Sequence, residues 1–334
     1  MTGIYYPENN HTYKSLPTYR SDYIKLQIKT FLHLFKIQIS NWPLDCIKLL
    51  EKMKETQVIP FFYGFFRLPD KYEAITNYHS DQNVYLMQIN QNNMQYPFET
   101  SANRRLNFTI AHEIGHIMLN HLKVPRNLKT KEDIRKEEQE ANEFAGQLLM
   151  PDKLLACCSF NSISSVAEFF NVSDSALMVR LGKTYRLDML HQKKSNVCSN
   201  CGNESMDYTA KFCCICGIVL ENNKNGVLRV LYFDGVKLDK NGEACSCPVC
   251  NNSDISFTGR CTKCSTPLYN YCSSIYSNKS KCSYTNPGNA RYCEMCGSET
   301  SFYSIGLLKP WEEVRKNLIP EFIQEDEAEY SIFV

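Results

Sequence analysis

Apolar and polar positions divide the first part of the chain into helical and extended stretches. Residues 20–37 and 42–54 read as helices, the second with Asn41 as a candidate cap and Pro43 in its first turn. Val58–Phe66 is rich in β-forming residues and contains Pro60. Tyr72–Tyr78 and Asn83–Asn90 look like strands of a small mixed sheet, with Asn83–Asn90 the best of the set. The helical period returns in 108–121, where Phe108, Ile110, Ile117 and Leu119 are apolar. It returns again in 137–150, where Ala141, Phe144, Ala145, Leu148 and Leu149 form a stripe closed by Pro151. Ser164–Phe170 and Ser173–Leu181, with a turn at Asn171, carry two readings: a DNA-binding helix-turn-helix, or helices packed beneath a site. Few basic residues decorate the second of these helices, which favours packing. Gly226–Asn241 alternates around Asp234-Gly235 and reads as a β-hairpin. The acidic stretch Glu321–Tyr330 reads as a solvated tail.

The stretch 108–121 also carries chemistry. His112 and His116 are four apart, so a helix places both imidazoles on one face, one turn apart. Glu113 lies beside them, where a carboxylate serves as general base to a metal-activated water. The plain alternative is a core helix with two satisfied histidines. A catalytic zinc site takes three protein ligands and leaves a position for water, so a third ligand is expected on a following helix. In 137–151, Glu138 and Asn142 share a face. Glu138 is the candidate ligand, with Glu140 next, and Asn142 is placed to hydrogen-bond a ligand from behind. The other glutamates, Glu143 among them, read as the solvated face. The charged linker between His116 and Glu138 reads as a loop, and Arg104 and Arg105 read as exposed basic residues at the start of the histidine helix.

Phe108-Thr109-Ile110-Ala111-His112-Glu113-Ile114-Gly115-His116 is followed by Glu138-x2-Ala141-Asn142-x-Phe144-Ala145-x2-Leu148-Leu149-Met150-Pro151 and then by Phe170-x-Val172-Ser173-x2-Ala176-Leu177-x2-Arg180-Leu181. Together these resemble the ImmA/IrrE family of metallopeptidases over roughly residues 20–190. The resemblance implies an α+β, gluzincin-like fold: a short sheet, an HExxH helix and a ligand helix. It implies one catalytic zinc on His112, His116 and Glu138, with Glu113 as base, and an edge strand that pairs with extended substrate. It also implies a cytoplasmic role in transcription regulation, cutting a helix-turn-helix repressor or a similar regulator.

Beyond residue 190 the chain departs from that pattern into a cysteine array. Fourteen of its seventeen cysteines lie after residue 197. Cys198-x2-Cys201 and Cys213-x2-Cys216 are eleven residues apart, and Cys247-x2-Cys250 and Cys261-x2-Cys264 are ten apart. Each pair suits one tetrahedral four-thiolate zinc site, with Gly202 and Gly217 permitting tight turns. Disulfides are the alternative. A third set, Cys272, Cys282, Cys293 and Cys296, has one proper knuckle and reads as a degenerate ribbon. Its Cys282-x3-Asn286-x6-Cys293-x2-Cys296 spacing also resembles most of a Ran-binding-protein-type zinc finger. Cys46, Cys157, Cys158, Cys214 and Cys245 are left over, Cys245 as a possible substitute ligand in the second set. The expected organisation is a peptidase domain over 1–190, ribbon one over 191–225, a hairpin and ribbon two over 226–268, ribbon three over 269–300 and a tail over 301–334.

Net charge is +1, so no global pull toward nucleic acid is expected, and a protein partner is favoured over a nucleic-acid one. Many thiols without secretion signals point to a reducing cytosol. No stretch is long and apolar enough to cross a membrane. The expected function is a zinc-dependent endopeptidase with one catalytic and two or three structural zinc ions, its ribbons recognising the partner. The alternative is a non-catalytic ribbon module that binds or senses nucleic acid or protein.

Overall fold

The computed structural model describes residues 16–38, 41–93, 101–184, 187–191, 196–253, 259–276 and 282–315. The acidic stretch at 321–330 and the N-terminal segment lie outside these residues. Two compact units divide the chain: residues 1–156 with 162–192, and residues 157–161 with 193–334.

The first unit runs α1 (Thr18–Leu34), α2 (Cys46–Thr56), β1 (Phe61–Phe66), β2 (Ala74–His79), β3 (Val84–Asn90), α3 (Ser101–Met118), α4 (Lys131–Leu149), α5 (Asp152–Ala156), α6 (Ile163–Phe169) and α7 (Asp174–Lys183). The second helix differs from expectation. It starts at Cys46 because the Asp45 side chain accepts from the backbone N–H groups of Ile47 and Lys48. Asn41 instead accepts from Gln38 N at 2.7 Å and closes a separate turn. In the sheet β3 is central, parallel to β1 and antiparallel to β2. Both of its edges are therefore occupied, so the strand that reads best in the sequence is not an edge strand. The sheet's outer strands are β1 and β2.

α3 packs on the sheet and on α4. Glu73 anchors it from beside β2, accepting from Thr109 Oγ1 at 2.6 Å and pairing with Arg105. Phe31 of α1 meets Phe35 and Phe144 with ring centroids 4.9 and 6.3 Å away, closing an apolar core over the α3–α4 pair. Asn107 is buried and ties three segments together. It accepts from Cys46 N and donates to Leu44 O and Asn171 O. The 162–184 helices follow the packing reading. Arg180 of α7 is buried and directed inward, reaching Glu143 of α4 at 3.0 Å and Asp152 at 2.7 Å.

The second unit has little regular structure: isolated β-bridges, a 3-10 turn at Ser273–Tyr276 and the single-turn helix α8 (Ser301–Ser304) among its described residues. The hairpin expected over 226–241 does not form. Leu228 pairs with Cys158 and Val230 with Asn203. Asp234 instead pairs with the buried Arg291, and Gly235 lies so close to Asn289 that a Cβ there would sit 2.6 Å from the Asn289 Cβ.

Candidate active site and metal centres

α3 presents His112, Glu113 and His116 from its buried C-terminal half, each about 2% exposed or less. α4 supplies Glu138. Its start was hidden in the charged linker: Thr130 and Asp133 form a capping box that begins the helix at Lys131 rather than near Glu137. The long lead-in to α4 carries Glu138 over the α3 histidines. Gly115 allows the approach, since a Cβ there would sit 3.1 Å from the Cβ of Phe144.

His112 Nε2 lies 3.1 Å from His116 Nε2. Glu138 Oε2 lies 3.3 Å from the first nitrogen and 3.9 Å from the second. A tetrahedral zinc with bonds near 2.0–2.1 Å holds its nitrogen and oxygen ligands about 3.4 Å apart. The three donor atoms therefore already have nearly the spacing of a shared ion. Electrostatics agree. Burial would raise the Glu138 carboxyl, but hydrogen bonds and charge from both histidines hold it well below the usual range. Burial drives His116 down to about 3, helped by its neighbours His112 and His121. For His112 burial also lowers, but Glu138 and Glu113 outweigh it and raise the group. The ionised Glu138 and neutral His116 are in the state a cation needs, whereas His112, favoured in its protonated form, must release that proton to bind one. Asn142 Oδ1 sits 3.0 Å from His112 Nδ1, where it fixes the ring. Glu140, the alternative ligand, is not in this group. It binds His121 and Arg20 instead. His121 and Arg20 were not found by sequence reasoning. His121 is legible afterwards as a third histidine shortly after the motif, while Arg20 is far away in the chain and gives no local signal.

Residues 69–182 match the model of the peptidase M78 family's IrrE N-terminal-like domain, from just before β2 to the end of α7. This segment is an ImmA/IrrE-family peptidase domain. No curated protein matches the chain. The family match adds a peptidase ancestry to a site whose donor geometry already fits a metal.

The second unit gathers all three predicted cysteine sets, each with its four sulfurs within 4.8 Å of one another. Measured Sγ separations are 3.5 and 3.6 Å in the first set, 3.5 and 3.6 Å in the second, and 3.4 and 3.8 Å in the third. Zinc–sulfur bonds of about 2.3 Å in a tetrahedron separate sulfurs by about 3.8 Å. All seventeen cysteines are free, so the disulfide alternative is not realised. The third set assembles as fully as the others, Cys272 included. Cys245 is exposed and stands outside the second set. Each knuckle turns through a left-handed residue directly after its second cysteine: Gly202, Gly217, Asn251, Ser265 and Gly297.

The sets are not independent beads. Lys211-Phe212-Cys213-Cys214-Ile215-Cys216-Gly217 and Arg291-Tyr292-Cys293-Glu294-Met295-Cys296-Gly297 pair reciprocally. Lys211 and Phe212 donate their N–H groups to Glu294 O at 2.8 and 3.0 Å. Arg291 and Tyr292 donate theirs to Cys214 O at 2.7 and 3.0 Å. The Tyr292 ring covers Gly217, and the Phe212 ring covers Gly297. The first and third sets thus share one pseudo-symmetric module. The second set has its own small cluster of Ala244, Cys247, Cys261 and Leu268. Among the described residues no helix is long and apolar enough to cross a membrane.

Proposed function

We propose that the chain is a zinc-dependent endopeptidase that cuts a protein partner of the DNA-binding repressor class, with the cysteine module contributing recognition. The observation that carries this reading is the convergence of His112, His116 and Glu138 around one point, beside buried Glu113, in a peptidase-family domain. Those three side chains would hold a zinc ion, which would supply Lewis acidity to a water and to a scissile carbonyl. Glu113 takes the proton of the attacking water and delivers it to the leaving nitrogen. Asn142 holds the His112 ring in place through Nδ1. The four thiolates of each cysteine site would satisfy a zinc ion completely, so these sites would take no part in the chemistry. A near-neutral chain favours a protein over a nucleic acid as the partner these sites help to select.

The test is Glu113→Gln in the full chain. Glu113 is not among the donor atoms of the metal cluster, so the variant should keep its zinc and its fold. Cleavage should fall by about 10²–10⁴-fold, and the variant should retain an uncut partner that the wild type releases as fragments. Cleavage near the wild-type rate would remove Glu113 from the mechanism. Retention of a partner that neither form cuts would favour the binding-module reading.

A further inference from the structure

A second line of polar side chains runs from His116 away from the ligand trio. His116 Nδ1 is 3.0 Å from His121 Nδ1. His121 Nε2 is 3.1 Å from Glu140 Oε2. Glu140 is gripped by both arms of the Arg20 guanidinium, with Nε 2.8 Å from Oε1. His116, His121 and Glu140 are 2%, 6% and 7% exposed. The hydrolysis described above uses none of His121, Glu140 or Arg20.

The hydrogens along this line are fixed from both ends. Arg20 can only donate, so Glu140 accepts. Both Glu140 oxygens face Arg20, and Oε2 also faces His121 Nε2, so the carboxylate is the acceptor at this end. At the other end, a histidine that ligates through Nε2 carries its proton on Nδ1. His116 Nδ1–H must then donate to His121 Nδ1, and His121 Nε2–H must donate to Glu140. Each contact along the line has one donor and one acceptor. The opposite tautomer of His121 would set two N–H groups against each other at one end and two acceptors at the other. His112 differs, because its Nδ1 meets only the neutral amide of Asn142. The two candidate histidine ligands therefore have unequal support, one from a dipole and one from a buried ionic chain.

We propose that His121, Glu140 and Arg20 form a charge relay that positions His116 and strengthens it as a zinc donor. The affinity of the catalytic metal then depends on three residues that do not touch it. This rests on the reading of His112, His116 and Glu138 as the zinc site. His121, Glu140 and Arg20 are positioning residues, since they act through His116. Through Arg20 the relay also links α1 to the metal site, although α1 lies outside the segment that matches the family model.

The experiment is chelator competition on the zinc-loaded full chain, following the equivalent of zinc that Glu138→Gln removes. His121→Ala and Glu140→Gln should each weaken that equivalent by about 10–100-fold, the usual effect of losing a partner behind a ligand. His121→Gln can still accept from His116 Nδ1–H but cannot pass the charge of Glu140. It should hold zinc more tightly than His121→Ala and less tightly than wild type. Thermal unfolding of the metal-free variants separates lost packing from lost metal affinity. Affinities within twofold of wild type for both His121→Ala and Glu140→Gln would overturn the relay. So would a His121→Gln no better than His121→Ala. If Glu138→Gln removes no zinc at all, the site reading fails instead, and the two failures are distinguishable.

Discussion

In the first unit the fully buried positions include Phe31, Leu50, Met53, Phe144 and Leu148; in the second the main cluster combines Cys198, Cys201, Cys213 and Cys214 with Ile215, Leu220 and Ala290. The first unit carries three strands and seven α-helices among its described residues. The second carries bridges and two four-residue helices, a 3-10 turn at Ser273–Tyr276 and α8, among its described residues. The same kind of arrangement, side chains converging around a point that could hold a cation, therefore serves two purposes. In the first unit apolar packing builds a scaffold and the scaffold holds the donors in place. In the second unit the apolar clusters are small and the donor cysteines sit inside them, so the donors are part of the core. Removing the ion should cost the first unit its chemistry and the second its fold.

Chelation of the full chain breaks or upholds that contrast most directly. Structural zinc in small domains contributes about 10–16 kcal/mol, enough to decide folding outright. Metal-free protein should therefore be digested rapidly after about residue 195, while the helical signal and protease resistance of the first unit survive. Equal resistance of both units, or simultaneous collapse, would abolish the distinction. A finer contrast lies inside the second unit. Because the first and third sets clasp each other through the Cys214 and Glu294 carbonyls, Cys213→Ser should lower zinc content by about two equivalents, its own site and the clasped one. Cys261→Ser should remove only one, because its cluster is separate. Loss of a single zinc in both variants would show that the clasp carries no energetic coupling.

The parts of the molecule that were legible in sequence are those set by local periodicity. His112, Glu113 and His116 follow from helical spacing alone, and Glu138 with Asn142 from one shared face on the next helix. Cysteine spacing identified all three sets, since tight knuckles are closed by a few consecutive residues. What was not legible depends on long-range pairing. β3 alternates well but gives no sign of being central, because strand order is decided by β1, more than twenty residues earlier. The hairpin expected at Asp234-Gly235 lost to pairings with Cys158 and Asn203, and Asp234 was needed by Arg291, 57 residues on. The clasp was visible only as a repeated knuckle sequence, and nothing in that repeat says that its two copies face each other. Glu140 read as the second-choice ligand, and its actual partners, Arg20 and His121, lie in other segments of the chain.

The smallest expected effects test how far the first unit's scaffold, rather than its ligands, sets the metal site. Gly115 and Gly146 lie on α3 and α4, and a methyl group meets opposite surroundings at the two positions. At Gly115 it would sit 3.1 Å from Phe144 Cβ and 3.2 Å from the Ala141 carbonyl, closer than ordinary contact and against backbone that cannot swing aside. Gly115→Ala should push α4 outward, destabilise the unit by about 1–3 kcal/mol and, by drawing Glu138 away from His112 and His116, weaken zinc as well. At Gly146 the nearest atom is Arg180 Cδ at 3.5 Å, an ordinary contact with a flexible side chain. Gly146→Ala should leave zinc unchanged and raise stability by about 0.4–1 kcal/mol through reduced entropy of the unfolded chain. Thermal unfolding and zinc competition on the two variants measure both quantities. A Gly115→Ala protein that is less stable but binds zinc as tightly as wild type would mean that Glu138 follows the histidines independently of helix spacing. The scaffold would then hold the ligands less tightly than the contrast between the two units requires.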